Sequence, residues 1–596
     1  MLQWAAVGRN APDAPGAATA EANRRCHNRT MQTTRIAFPA DAMPRPATKR
    51  AGASARLRAA LPFACIAIAY AAVATWNIAL PGIYMDEVNP DYLVVKVLNR
   101  HHEPVIAWLL QGNYLFNDRY PLLIQLYHGS QPFWFGLPLY WLFGTGVEGI
   151  RLVHAVFGLC VLGALFALLR ALGTRAWIAV ATCAAMAIDP SFSYAFRTQS
   201  TITLFACTWM LLALALLRWN GHRGEAPWRA LWSGIFCAWA GVGYFVAGFF
   251  APAVAVAAWV LARTEPHGAA GYRARWIAGF VLGLAPAIAG YGLLVDDAGG
   301  MAQAVDYVRT QQSQLKPFSS TLGLVERLSY AWTMIVAVVS NAWHHSMMFQ
   351  EWVEVPLTPI KLLLLAALPA ALWIAAELQR RATFAHRTLV ALPLCFVALA
   401  LVFGNRLAGH HYVVLVPCLY AALGYGLERS VSGLARGAGV AAVGVLAALG
   451  VVNVLGQSAE ARRLQETHGV GFMSDAINRF ATDLSHAAHK PFVYFPDWGL
   501  AMPVALITRG TVGMDSVENF AQARELLCAG RDVGVALIEG DRAARAQRWQ
   551  ARIGWSPPEV THYRQHDGTP LFDYVMFRSD PASPACRPES RHAGSP

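Results

Sequence analysis

Two acidic residues stand side by side in the stretch IYMDEVNPD (Ile83–Asp91), directly after an apolar run with no charge between Arg58 and Asp86. Because Asp86 and Glu87 are neighbours, one side chain can turn to a cleft while the other holds the loop. A carboxylate rooted at a membrane edge on rigid elements is suited to accept a proton. Far along the chain, Arg197, Arg406, His410 and His411, together with His344 and His345, supply cations and imidazoles for an anionic partner. A base on one side and cations on the other is equipment for chemistry in which an anion departs.

The elements that must position these groups follow from composition. Of 596 residues, 56% are hydrophobic and 14% charged, where a soluble domain has about a quarter charged. Apolar runs of bilayer-crossing length, roughly 17–25 residues, recur along most of the chain. It reads as an α-helical polytopic membrane protein, which excludes a large soluble enzyme. The formal charge of +12 lies in Lys49–Arg58, Arg170–Arg175, Arg218–Arg229, Arg263–Arg275, Arg380–Arg387 and Arg429–Arg436. These are short connections of cytoplasmic type, not a nucleic-acid face. Spans are expected near 59–80, 149–170, 175–189, 200–218, 229–245, 247–263, 275–295, 357–377, 387–404, 410–428 and 436–456. With the N-terminus inside, these eleven crossings keep every basic cluster in the cytoplasm and put 81–148, 189–199, 296–356 and the tail outside. Leu328–His345 is apolar enough to cross, but counting it would reverse that charge bias. It reads as an interfacial helix, with a twelfth crossing as the alternative.

Three regions result: residues 1–58, a disordered cytoplasmic leader; 59–456, the membrane core; and 457–596, a small soluble α/β domain. In the first outer loop Asn89 is placed to cap a helix that begins at Pro90. PDYLVVKVLNR and PVIAWLLQGNYLF have the pattern of interfacial helices, and QPFWFGLPLYWLFG that of a third, aromatic one. In the tail, helices in GFMSDAINRFATDLSHAAHK and SVENFAQARELLCAG alternate with strands in PFVYFPD, DVGVALIEG and LFDYVMFR. The tail has no Walker loop, nucleophile elbow or zinc spacing. Its Cys528 and Cys586 can pair if it faces an oxidising compartment.

The order of these features resembles the GT-C glycosyltransferases of the protein O-mannosyltransferase and aminoarabinose transferase type. The resemblance rests on YMDEVNPDYLVVKVL after the first span, QPFWFGLPLYWLFG and GIRLVHAVFGL into the second, DPSFSYAFRTQ between the third and fourth, and NRLAGHHYVVLVPCLYAALGYGL late in the chain. It covers about residues 59–456. It implies a multi-span core, interfacial helices in the first outer loop, a periplasmic C-terminal domain and transfer of a sugar from a polyprenyl-phosphate donor. The acceptor would be a lipid, glycan or protein of the envelope, and the location the bacterial inner membrane.

By position, the resemblance makes Asp86 the general base on the acceptor and Glu87 its partner, shaping the site or helping to place a divalent ion. Arg197, Arg406 and His411 become candidates for holding the donor phosphate, Tyr412 a hydroxyl contact and Arg151 a brace for the loop. Guanidinium suits a phosphate because it stays charged and forks onto two oxygens. Direct displacement would invert the anomeric centre. The chain departs from the family at Ser130 and Gln131, where relatives often carry a charge, and after Arg197, where an acid is missing. No cofactor is therefore certain, and a divalent metal stays an open alternative. Competing classes are a lipid-linked glycan ligase or polymerase and a transporter or flippase. Paired repeats and midplane charges, the marks of transporters, are missing from the spans.

Overall fold

The structure is a computed structural model that describes residues 53–99, 113–217, 219, 228–264, 268–311, 320–353, 357–433 and 437–586. The described residues from Arg56 onward form one compact unit. Uncharged runs leave the backbone no polar partner but itself, so they form helices. The first are α1 (Ala53–Ala74), α2 (Gln131–Phe143), α3 (Val147–Ala171), α4 (Ala176–Ala187), α5 (Thr201–Ala215), α6 (Trp228–Gly243) and α7 (Ala251–Leu261). Then come α8 (Ala269–Gly283), α9 (Ala285–Asp297), α10 (Met301–Gln311), α11 (Leu324–Ser340) and α12 (Ala342–Phe349). The membrane-type series ends with α13 (Thr358–Leu378), α14 (Phe384–Phe403), α15 (Leu415–Gly433) and α16 (Ala438–Thr467).

Every expected span holds a helix, but helix length does not support a count of eleven crossings. Among the described residues α3, α13, α16 and the run Phe384–Arg406 are each long and apolar enough to cross a membrane. Two bent pairs, Ala176–Ala187 with Pro190–Arg197 (67°) and α8 with α9 (40°), bring the number to six. The other segments are shortened by breaks and 3-10 turns, as at Phe245–Phe250 ahead of α7. The α6–α8 pair meets backbone to backbone: a Cβ on Gly279 would lie 2.0 Å from the Leu231 carbonyl oxygen. Small residues permit such approach between apolar helices.

The first outer loop differs from its expectation. Asn89 caps nothing; it ends the 3-10 turn Met85–Val88, and the next turn, Asp91–Val94, starts from Pro90. Among the described residues a single helical turn, Val95–Leu98, follows. Most of the second expected helix lies outside the described residues. Its end is instead strand β1 (Tyr114–Phe116), which forms an antiparallel sheet with β2 (Tyr120–Ile124) and β3 (His128–Gly129). Alternating burial along β2 fits one face on the core. The leader lies outside the described residues except for its last six, 53–58, which belong to α1. The expected boundary at 457 falls inside α16, whose Ala-, Glu- and Arg-rich end continues the helix to Thr467.

Beyond α16 come α17 (Ala476–His486), β4 (Phe492–Tyr494), α18 (Ala501–Ile507), β5 (Gly513–Asp515), α19 (Phe520–Cys528), β6 (Val533–Leu537), α20 (Arg542–Ile553), β7 (Glu559–Arg564) and β8 (Pro570–Phe577). The sheet order is β5-β4-β6-β8-β7, with the first three strands parallel and the last two antiparallel. Cys528 and Cys586 form a disulfide. The buried helix α18 packs against the turns Met85–Val88 and Asp91–Val94.

Candidate active site

The acidic pair sits on a 3-10 turn held from three directions. A 3-10 turn has three residues per revolution, so adjacent side chains diverge by about 120°. Glu87 points inward, is 2% exposed and forms a buried ion pair with Arg151. Arg151 also donates to the Pro81 carbonyl at 2.9 Å. His154 lies between two carboxylates, with Nδ1 3.4 Å from Glu87 and Nε2 2.9 Å from Asp91. The Tyr140 hydroxyl donates to Asp91 at 2.6 Å.

The second hold is on the chain leading into the turn. The last carbonyls of a helix have no partner within it. Arg197 takes this role at α1, donating to the carbonyls of Ala74 (2.9 Å), Trp76 (2.6 Å), Asn77 (3.2 Å) and Leu80 (2.9 Å). The third hold comes from the far end of the sequence. Asn478 accepts from the Ile83 N–H at 2.9 Å and donates to the Ala79 carbonyl at 3.0 Å, while the Gly82 N–H bonds the Met473 carbonyl at 2.7 Å. Gly82 has no alternative there: a Cβ would sit 2.0 Å from the Ser474 carbonyl oxygen.

Asp86 takes the other direction and is half-buried. Burial pushes its carboxyl up to about 6, against a hydrogen bond from Tyr84 that favours the ionised form. Tyr127 and Tyr244 both lie within its electrostatic reach. The Tyr244 ring stacks on His128 with centroids 5.7 Å apart, and its hydroxyl is 3.4 Å from His411 Nε2. Burial lowers His128 to about 3, so its imidazole is neutral. His411 lies against His410 at 3.9 Å, and His410 Nδ1 meets Gln199 at 3.1 Å. Beside this cluster is a cavity of about 490 Å³ lined by Tyr127, His128, Phe245, Phe280, Leu284 and Phe403 among others.

The predicted residues thus divide. Tyr244 meets His411 and lies within the electrostatic reach of Asp86. Glu87, Arg151 and Arg197 hold the backbone around the turn, so Arg197 does not present an open guanidinium to a phosphate. Tyr412 is buried with its ring edge on Phe396 at 5.4 Å. Arg406 is exposed at the end of the run that begins with α14, three residues after the cavity-lining Phe403. His344 bonds Ser200 and Asn341, and His345 pairs with Glu460 at 3.0 Å. Gln131 ties helices together, donating to the Trp239 carbonyl and accepting from Trp209. Sequence reasoning missed Tyr84, Tyr127, His128 and Tyr244. For Tyr244 a signal existed in the flanking glycines of GVGYFVAG, which break the helix there. The acidic pair does not suit a divalent metal, because Glu87 is committed to Arg151. Among the described residues no group of three or more His, Cys, Asp or Glu could hold one.

The family model of dolichyl-phosphate-mannose-protein mannosyltransferases matches residues 128–289, a stretch that includes His128, Tyr244 and much of the cavity wall. No curated protein matches the chain. Among solved structures, ArnT from Cupriavidus metallidurans bound to undecaprenyl phosphate aligns with a TM-score of 0.56 at 14% identity, covering 89% of this chain and 100% of that one. The same protein in the apo state aligns at 0.55 and 13%, again over 89% and 100%. Identity this low speaks to architecture alone: the chain has the fold of the GT-C glycosyltransferases.

Proposed function

We propose that this chain is a glycosyltransferase that moves a sugar from a polyprenyl-phosphate donor to a lipid, glycan or protein acceptor of the cell envelope, with Asp86 as general base. The observation that carries this reading is a half-buried carboxylate, held near 6 by its surroundings, that faces a Tyr and His cluster beside a large apolar cavity. A base poised near working pH is the form proton transfer favours. The ArnT structure that this fold resembles is described with undecaprenyl phosphate bound, and the 490 Å³ cavity has the apolar lining a prenyl chain needs.

In the proposed reaction Asp86 accepts the proton of an acceptor hydroxyl or amine as that atom attacks the anomeric carbon. The bond from that carbon to the phosphate oxygen breaks, and polyprenyl phosphate leaves with the electron pair. Attack opposite the leaving group inverts the centre. Arg406, exposed three residues after the cavity-lining Phe403, is the cation assigned to meet the phosphate, while His411 and Tyr244 offer neutral donors in a partly dry site. The bacterial inner membrane with a periplasmic catalytic face is supported by the basic clusters of the short loops. The Cys528–Cys586 disulfide also fits an oxidising side.

The test is mass spectrometry of envelope glycans from a deletion strain carrying wild-type or Asp86→Asn protein. Wild type should restore a sugar-sized mass increment that the variant fails to restore, with transfer down about 100-fold or more. Full restoration by Asp86→Asn at normal expression would remove the base from the reading.

A further inference from the structure

Helix α3 brings two cations up to the turn that carries Asp86. Arg151 and His154 are three residues apart, so they share one face of the helix. That face meets an acid from each of the two 3-10 turns, Glu87 of Met85–Val88 and Asp91 of Asp91–Val94. All four residues are 2% exposed or less. Arg151 pairs with Glu87 and donates to the Pro81 carbonyl. His154 joins the turns: Nε2 lies 2.9 Å from Asp91 Oδ2 and Nδ1 3.4 Å from Glu87 Oε1, and Nδ1 has no hydrogen-bond partner elsewhere among the described residues. A neutral imidazole has one N–H and one lone pair. Whichever nitrogen carried the lone pair would set it against a carboxylate, so the form that fits is the imidazolium, with both nitrogens donating. Two acids and two cations then cancel. Ionisable groups in a membrane-type helix persist where they pair in this way, and a buried charge left without its partner is costly.

We propose that His154 is a positioning residue of the transfer site: as a cation between Glu87 and Asp91 it ties the two turns together and keeps the buried charge beside Asp86 balanced. This rests on the reading of Asp86 as the base. The groups facing His154 are Glu87 and Asp91 from the turns, Arg151 from its own helix and Tyr140 from α2, whose hydroxyl donates to the same Asp91 oxygen. From α1 comes Tyr70, whose hydroxyl fills the space a Cβ on Gly158 would need. Arg197 lines a small void with Arg151 and Tyr70, but its guanidinium is spent on the carbonyls at the end of α1. Helix α5 packs along α3 and carries no charged residue. Asp86 itself is faced by Tyr84 on its own turn, Tyr127 from the β2–β3 turn and Tyr244 from the α6–α7 junction. Glu87 is the next residue in the chain, so any surplus negative charge on the quartet sits beside the base, where a like charge disfavours the ionised carboxylate.

The experiment uses purified full-length protein added to membranes of the deletion strain, which supply donor and acceptor, with transfer followed against pH by mass spectrometry. His154→Gln keeps a hydrogen-bonding side chain and removes the charge, leaving the quartet one charge negative. Its acid limb should move up by about one pH unit, the order expected for one unbalanced charge near a partly buried carboxylate, with transfer recovering at higher pH. Adding Asp91→Asn removes the surplus negative charge, so the limb of the double variant should return to the wild-type position although a further hydrogen bond has been altered. A role in packing alone would lower transfer at every pH, leave the limb in place and make the double variant worse than the single one. An acid limb unmoved in His154→Gln, or one still displaced in the double variant, would overturn the proposal. A cooperative melt shows which variants fold; should His154→Gln not fold, the balanced double variant must fold and carry the wild-type limb, and its failure overturns the proposal as well. Normal transfer by Asp86→Asn would instead overturn the parent reading.

Discussion

Two carboxylates one residue apart have opposite fates, and the difference is what each side chain meets. Glu87 is neutralised by Arg151 in the interior, whereas Asp86 pairs with no cation among the described residues and is held near 6 by burial. As the proposed base Asp86 must be ionised, so the rate of transfer should fall as pH drops through about 6, approaching tenfold per unit below. Stability should respond in the opposite sense. A carboxyl raised from about 4 in the unfolded chain to about 6 in the fold makes a contribution that is fully present below 4 and lost as pH rises through 6. Asp86→Asn should therefore melt at a higher Tm than wild type above pH 6, with the gap closing by pH 4. Equal Tm values at pH 8 would show that burial does not strain this carboxylate. The two arginines separate as cleanly. Arg406→Ala should weaken undecaprenyl phosphate binding by about 10–100-fold, the range for one charge-assisted contact, with Tm unchanged.

At the scale of elements, the turn that carries Asp86 is defined by segments distant in sequence. Arg197 closes the end of α1, Arg151 of α3 holds Pro81, and Asn478 of α17 holds Ala79 and Ile83. A lysine cannot reach several carbonyls with one ammonium. Arg197→Lys should lower Tm by several degrees and reduce transfer while the affinity for undecaprenyl phosphate per folded molecule stays the same. A selective loss of that affinity would return Arg197 to the phosphate. Gly82→Ala forces the Ser474 carbonyl away and should cost more, since backbone is displaced on both sides.

For the whole molecule, the sheet after α16 is continuous with the site through α18, and a disulfide closes the 58-residue separation between Cys528 and Cys586. Loop-closure entropy for that length gives a stabilisation of about 4 kcal/mol. Reduction, or Cys528→Ser with Cys586→Ser, should lower the unfolding midpoint of this region accordingly, as read by hydrogen exchange of β6 and β8. Because the region contacts the Met85–Val88 turn, transfer should decline with it. Unchanged transfer after the sheet has loosened would show that the turn stands without that support.

Sequence alone left α18, β5, α20 and β7 unmarked but determined the helical class, a helix in each expected span and five elements of the tail (α17, β4, α19, β6 and β8). Each depends on local periodicity or on a charge at the end of an uncharged run. It misjudged part of the first outer loop, where the end of an expected helix is strand β1, because short apolar stretches with isolated polar residues suit either form and pairing partners decide. Which carboxylate faces the cleft, that Arg197 serves the backbone of α1, and that Tyr84, Tyr127 and Tyr244 stand around Asp86 were decided only by tertiary structure. Hydrogen-bond partners and desolvation arise from residues hundreds of positions apart, and no local pattern encodes those distances.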